Sequence, residues 1–109
     1  MRGIYEDYYK RFLERFKDLR RKKGVKANEM SIALGNHNGY VSKIERGHTQ
    51  PSLDAFFYIC EYFGVPPKYF LDEEVKHPLD YLEIVEMLKE LDSEQLIHIK
   101  GILQAIVKK

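Results

Sequence analysis

Residues 27–44 read ANEMSIALGNHNGYVSKI, and the fold turns on how this stretch is read. Met30, Ala33 and Leu34 fall at i, i+3 and i+4, which is one face of a helix. Gly35 stops that helix, because a residue without a Cβ takes positive φ freely. Asn36, His37 and Asn38 are short or polar groups that favour a turn and can cap the free N–H groups of a following helix. Tyr40, Val41 and Ile44 then stand at i, i+1 and i+4 and give a second apolar face. The expected unit is two short helices packed about a tight, Gly-containing turn.

A wider set of residues continues this pattern in both directions: Leu19-Arg20, Gly24, Met30-Ser31, Leu34-Gly35, the string YVSKIERG over 40–47, Pro51-Ser52-Leu53 and Phe63-Gly64-Val65. In order and spacing this set resembles the Cro and phage-repressor (XRE-like) helix-turn-helix family, from about Phe12 to Phe70. YVSKIERG followed by PSL is its specific part. A YVxxI pattern alone would be an ordinary amphipathic helix; the full ordered set argues against that. The resemblance implies an all-α fold: a five-helix lambda-repressor-like DNA-binding domain over 1–72, with the motif at 27–46 and the recognition helix at 38–46, followed by two C-terminal helices.

The rest of the chain reads as helix throughout, since period-2 alternation is missing and Pro and Gly fall between helical patterns. A first helix is expected from Ile4 to Lys23, with a stripe of Tyr5, Tyr8, Tyr9, Phe12, Phe16 and Leu19. Glu6 and Asp7 in its first turn and the RRKK cluster over 20–23 in its last suit the helix dipole; the cluster is also a candidate for phosphate contact. Ser52 should cap a fourth helix over Leu53–Phe63, burying Leu53, Phe56, Phe57, Cys60 and either Phe63 or Tyr62. Pro66 and Pro67 open a short fifth helix, where a first-turn proline is tolerated.

Residues 71–78 (LDEEVKHP) are acidic and aperiodic, and 73–78 is expected to be a linker. Beyond it, over 79–109, Leu82, Val85 and Leu88, with Ile84 and Leu91, mark a sixth helix. Asp92 and Ser93 cap a seventh, in which Leu96, Ile99, Leu103 and Ile106 follow a near-heptad spacing widened by Ile97, Ile102 and Val107. So much apolar surface on two helices needs a cover: the repressor-like unit, a second copy or another protein. A homodimer through these helices is favoured, because members of the resembled family commonly bind two half-sites as dimers.

Composition narrows the function. The 109-residue chain has a net charge of only +1. The halves differ, however: residues 1–50 carry 12 Lys/Arg against 6 Asp/Glu, and residues 51–109 carry 6 against 11. A basic half that holds the motif would turn toward phosphate; charge serving only to solvate helix surfaces is the plainer alternative. The single cysteine, Cys60, excludes an internal disulfide and lies in the apolar run FFYICEYF, so it reads as a core thiol in a reducing compartment. No apolar run reaches the roughly 20 residues of a membrane span and no signal-peptide shape opens the chain, so a cytoplasmic protein is expected. His37, His48, His77 and His98 are far apart, no Cys pair or nucleotide-binding motif is present, and neither an enzyme, a metal nor a cofactor is expected.

The resemblance also implies how double-stranded DNA would be held. Asn38, Gly39 and Lys43 take the base-reading positions; Asn can bond adenine and Lys can donate to guanine. Lys26, His37, Tyr40, Ser42, Arg46, His48, Thr49 and Gln50 are the phosphate candidates. Arg20 and Glu45 take positions that pair in the family. Ser31 stands where a small residue lets two helices cross closely. Four departures from the family pattern leave the reading surface thin: Ala27 replaces a DNA-contacting Gln of many relatives, Lys26 a Ser or Thr cap and Asn36 a usually apolar turn residue, and Gly39 has no side chain to offer. The functional expectation is a sequence-specific transcriptional regulator acting as a repressor. Its rival is an antitoxin or adaptor that uses the same fold mainly to bind protein.

Overall fold

The computed structural model describes residues 3–108. Among these there is no strand and the chain forms seven helices: α1 Ile4–Lys23, α2 Ala27–Ala33, α3 Tyr40–Glu45, α4 Leu53–Phe63, α5 Pro67–Phe70, α6 Pro78–Lys89 and α7 Ser93–Val107. Two compact units divide at Pro78, the first holding α1–α5 and the second α6–α7.

The first unit closes around an aromatic core. Phe12, Phe16 and Leu19 of α1 meet Met30 of α2, Val41 and Ile44 of α3, and Ile59, Cys60 and Phe63 of α4. Phe70, at the end of α5, stacks on Phe12 with ring centroids 5.6 Å apart, and Phe16 meets Phe63 edge-on at 6.1 Å. Such ring pairs add to the area they bury, at about 0.5–1.5 kcal/mol each.

Several expectations are corrected here. In α4 the buried stripe is Ile59, Cys60 and Phe63 with half-buried Phe56, while Leu53 and Phe57 are exposed. Positions 56, 59, 60 and 63 form one i, i+3, i+4, i+7 face; Phe57 falls off it, and Leu53 shares its spacing but is exposed at the first residue of the helix. On α1 the core ends at half-buried Tyr9, because Tyr5 and Tyr8 lie beyond the core and face solvent.

The recognition helix expected over 38–46 is shorter. Gly39 adopts φ 99°, which no residue inside a right-handed helix can take, so α3 begins at Tyr40 and leaves Asn38 and Gly39 in the turn. Nor do Asn36, His37 or Asn38 cap α3 with a side chain. Asn36 Oδ1 accepts from the neighbouring His37 N–H instead.

The segment over 73–78 is no free tether. Val75 and Pro78 are buried. The Arg15 guanidinium donates to the carbonyls of Phe70, Asp72 and Val75 at 3.2, 2.7 and 2.6 Å. Burial lowers the Arg15 pKa against the raising effect of Asp18 and Asp72.

In the second unit, Asp92 caps α7 by accepting the Gln95 N–H, and Gln95 returns a bond to the Asp92 N–H. Leu82, Val85, Leu88 and Leu91 are half-buried. No residue of α7 is buried, and Pro78 is the one buried residue of α6.

Candidate nucleic-acid interface

The interface is built from α2, the turn over 34–39, α3 and the loop over 46–51. Met30 of α2 and Val41 and Ile44 of α3 are fully buried against one another's side of the core, which leaves Ser42, Lys43 and Arg46 on the outward side. Three local devices fix this arrangement.

The first is Ser31, which is completely buried. Its hydroxyl donates to the Ala27 carbonyl at 2.9 Å and accepts the Val41 N–H at 2.9 Å. Ser31 therefore caps α3 from across the turn, supplying what Gly39 lacks. The second is the Arg20–Glu45 pair. Arg20 Nε lies 2.6 Å from Glu45 Oε2 and Nη2 2.9 Å from Oε1, a two-bond fork, while Nη1 donates to the Val25 carbonyl at 3.0 Å. The hydrogen bond to Glu45 raises the Arg20 pKa, so the cation is secure. The third is Gly35, whose left-handed φ of 74° turns the chain out of α2.

Asn38 and Lys43 are both exposed. Lys43 forms no ion pair among the described residues, and the Asn38 side-chain amide forms no hydrogen bond among them. Both donor groups are thus available. Gly39 contributes only backbone.

Among the phosphate candidates, Lys26 is exposed at the N-cap of α2, where its N–H donates to Glu29 Oε1 at 3.1 Å. A lysine side chain has no acceptor, so this is only the returning half of a capping box. His37 and Tyr40 are in edge-on ring contact at 6.0 Å. Burial raises the Tyr40 pKa, which keeps its hydroxyl a donor. Arg46 and His48 are exposed, and Ser42 and Thr49 half-buried. Gln50 differs: its amide already donates to the Tyr5 hydroxyl.

Much of the RRKK cluster is also committed internally. Arg21 and Lys22 both pair with Asp18, at 2.7 and 3.0 Å, and Lys23 lies 5.0 Å over the Tyr62 ring. Exposed pairs of this kind hold weakly and yield readily to a stronger anion. Among the described residues no three His, Cys, Asp or Glu side chains gather as a metal site, and no helix is long and apolar enough to cross a membrane.

Sequence reasoning missed two contacts. The Arg15 clamp had no local signal, since its acceptors are backbone carbonyls 55–60 residues away. The Ser31 cap had one: a small hydroxyl residue on α2 opposite a glycine-led helix.

A family model described as Helix-turn-helix matches residues 16–70. Comparison with curated proteins and with solved structures gives no significant match.

Proposed function

The chain belongs to the helix-turn-helix family of DNA-binding regulators, of Cro and phage-repressor type, and from that premise we propose that it is a sequence-specific repressor acting as a homodimer. The observation that carries this reading is the free donor pair of Asn38, in the turn before α3, and Lys43, on the outer side of that helix, which is held at both ends. Ser31 fixes its N-terminus and Arg20 its C-terminus.

In this reading α3 enters the major groove. Lys43 Nζ donates to guanine N7 and O6, and the Asn38 amide meets adenine from the turn. Lys26, His37, Tyr40, Ser42, Arg46, His48 and Thr49 set the register on phosphates. Two base-reading side chains supply about 1–3 kcal/mol of discrimination each. Specificity therefore needs two subunits on two half-sites, with α6–α7 joining them.

The test is anisotropy of a labelled duplex from the gene's own upstream region, titrated at low and physiological salt beside a scrambled duplex. Preference for its own sequence at physiological salt supports the proposal, and the salt slope counts phosphate contacts. Equal binding to both that vanishes with salt, or unchanged binding by Lys43→Ala and Asn38→Ala, overturns it.

The exposed apolar faces of α6 and α7, which include Ile84, Met87, Ile97 and Ile102, favour one second reading: an antitoxin or adaptor whose α6–α7 unit holds another protein. In that case the full-length protein has negligible DNA affinity, and a polar substitution at Ile102 abolishes a protein complex.

A further inference from the structure

The α6–α7 unit has no core of its own. It is about 30 residues long, no side chain of α7 is buried, and Leu96, Leu103 and Ile106 are 41%, 49% and 58% exposed. Units below about 40 residues usually need oligomerisation or a staple to be stable. Along the unit runs an open groove of about 610 Å³, lined mainly by Leu88, Leu96, Ile99, Leu103, Gln104 and Val107.

The spacing on α7 identifies the occupant. Leu96, Ile99, Leu103 and Ile106 are separated by three, four and three residues, so the row is the same read in either direction about position 101. Turning a second α7 end for end sets Leu96 opposite Ile106 and Ile99 opposite Leu103. Each Leu then meets an Ile, and every contact recurs with the two copies exchanged, as in an isologous two-fold interface.

Charge chooses the same direction. The first turn of α7 carries Glu94 and its C-cap is Lys108. Antiparallel helices bring the acidic end of one to the basic end of the other, and their dipoles oppose; parallel helices bring like to like. We propose that α7 pairs antiparallel with α7 of a second copy of this chain, centred on position 101 with residues 96, 99, 103 and 106 as its seam. The proposal rests on the dimer reading above and adds its geometry.

Single cysteines test it in the full-length protein. Cys60 is buried, so the unsubstituted chain serves as the control. Leu96→Cys and Ile106→Cys chains are mixed, allowed to exchange subunits and oxidised. The expected result is a disulfide dimer joining position 96 to position 106, with little product from either chain alone. In antiparallel helices two copies of position 96 lie about 15 Å apart along the axis, at 1.5 Å per residue. Sedimentation of the unsubstituted chain keeps the two ideas separate. A dimer in which Leu96→Cys cross-links to itself means parallel helices and overturns the register while the dimer stands. A dimer with no cross-link at either pairing places the contact elsewhere and also overturns it. A monomer at every concentration overturns both.

Discussion

The hydroxyl of Ser31 accepts the N–H of Val41 at 2.9 Å, and both residues are fully buried. This bond joins the two helices of the motif and ends the search of α3 for a cap. Removing it leaves a buried N–H without a partner, which costs about 1–3 kcal/mol. Ser31→Ala is expected to lower urea stability by that amount and to weaken DNA binding further than the stability loss explains, because α3 loses its fixed start. Ser31→Ala with unchanged stability would show that water reaches Val41.

Arg20 and Glu45 form the second tie, at the opposite end of α3. Their side chains are 26% and 15% exposed, so solvent screens the pair only in part. A double-mutant cycle with Arg20→Ala and Glu45→Ala should show coupling of about 1–3 kcal/mol in urea unfolding. Arg20→Lys should recover little of it, since an ammonium cannot form the two-bond fork or reach the Val25 carbonyl at the same time. Additive single losses would reduce the pair to a surface contact.

Arg15 makes a different kind of tie, drawing the last carbonyl of α5 and two carbonyls of the segment after it onto α1. Hydrogen bonds from a charged donor contribute about 1.5–3 kcal/mol. Arg15→Met keeps the aliphatic stem and removes the donors. Amide exchange over residues 71–76 is expected to rise sharply in this variant while the amides of α3 stay protected. Equal loss of protection at both places would make Arg15 a global core residue and not a local clasp.

These three contacts show what the sequence exposes and what it hides. Helix limits were legible wherever caps and apolar periodicity agreed: α1 and α4 follow from Gly24, Ser52 and Gly64. The start of α3 was not, because a glycine inside an apolar pattern reads equally as a weak helical residue or as a turn, and only its φ decides. The buried face of α4 was misjudged for a related reason. FFYICEYF is apolar on nearly every side, so composition does not say which residues turn inward. Contacts to backbone carbonyls, such as those of Arg15, carry no residue-type signature in the acceptor. The base-reading roles proposed for Asn38 and Lys43 rest on the motif's pattern, and the geometry adds that both side chains are exposed and unpaired among the described residues.

Cys60 offers a pH test of the core. Burial pushes its thiol up to about 11, so the fold disfavours the thiolate. A group whose native pKa is raised contributes stability that is complete below its ordinary value of 9.0 and lost as pH climbs through about 11. Stability should therefore fall over that window, and less steeply in Cys60→Ala, whose other titrating groups are the same. At pH 8 the native thiol should resist alkylation that is rapid in denaturant. Fast native alkylation would mean the α4 core opens readily.

Gly39 gives the sharpest test of where α3 begins, because the two alternatives predict opposite signs. If Gly39 lay inside a helix, Gly39→Ala would stabilise the protein by about 1 kcal/mol. At φ 99° a Cβ is strained even though no atom lies within 4 Å of it. The structure therefore requires Gly39→Ala to destabilise, by about 1–2 kcal/mol. Asn tolerates the left-handed region better than Ala, so Gly39→Asn should be the milder change. Urea melts of the three proteins decide the matter. A Gly39→Ala variant more stable than the parent would extend α3 back to Asn38 and bring that side chain into the recognition helix itself.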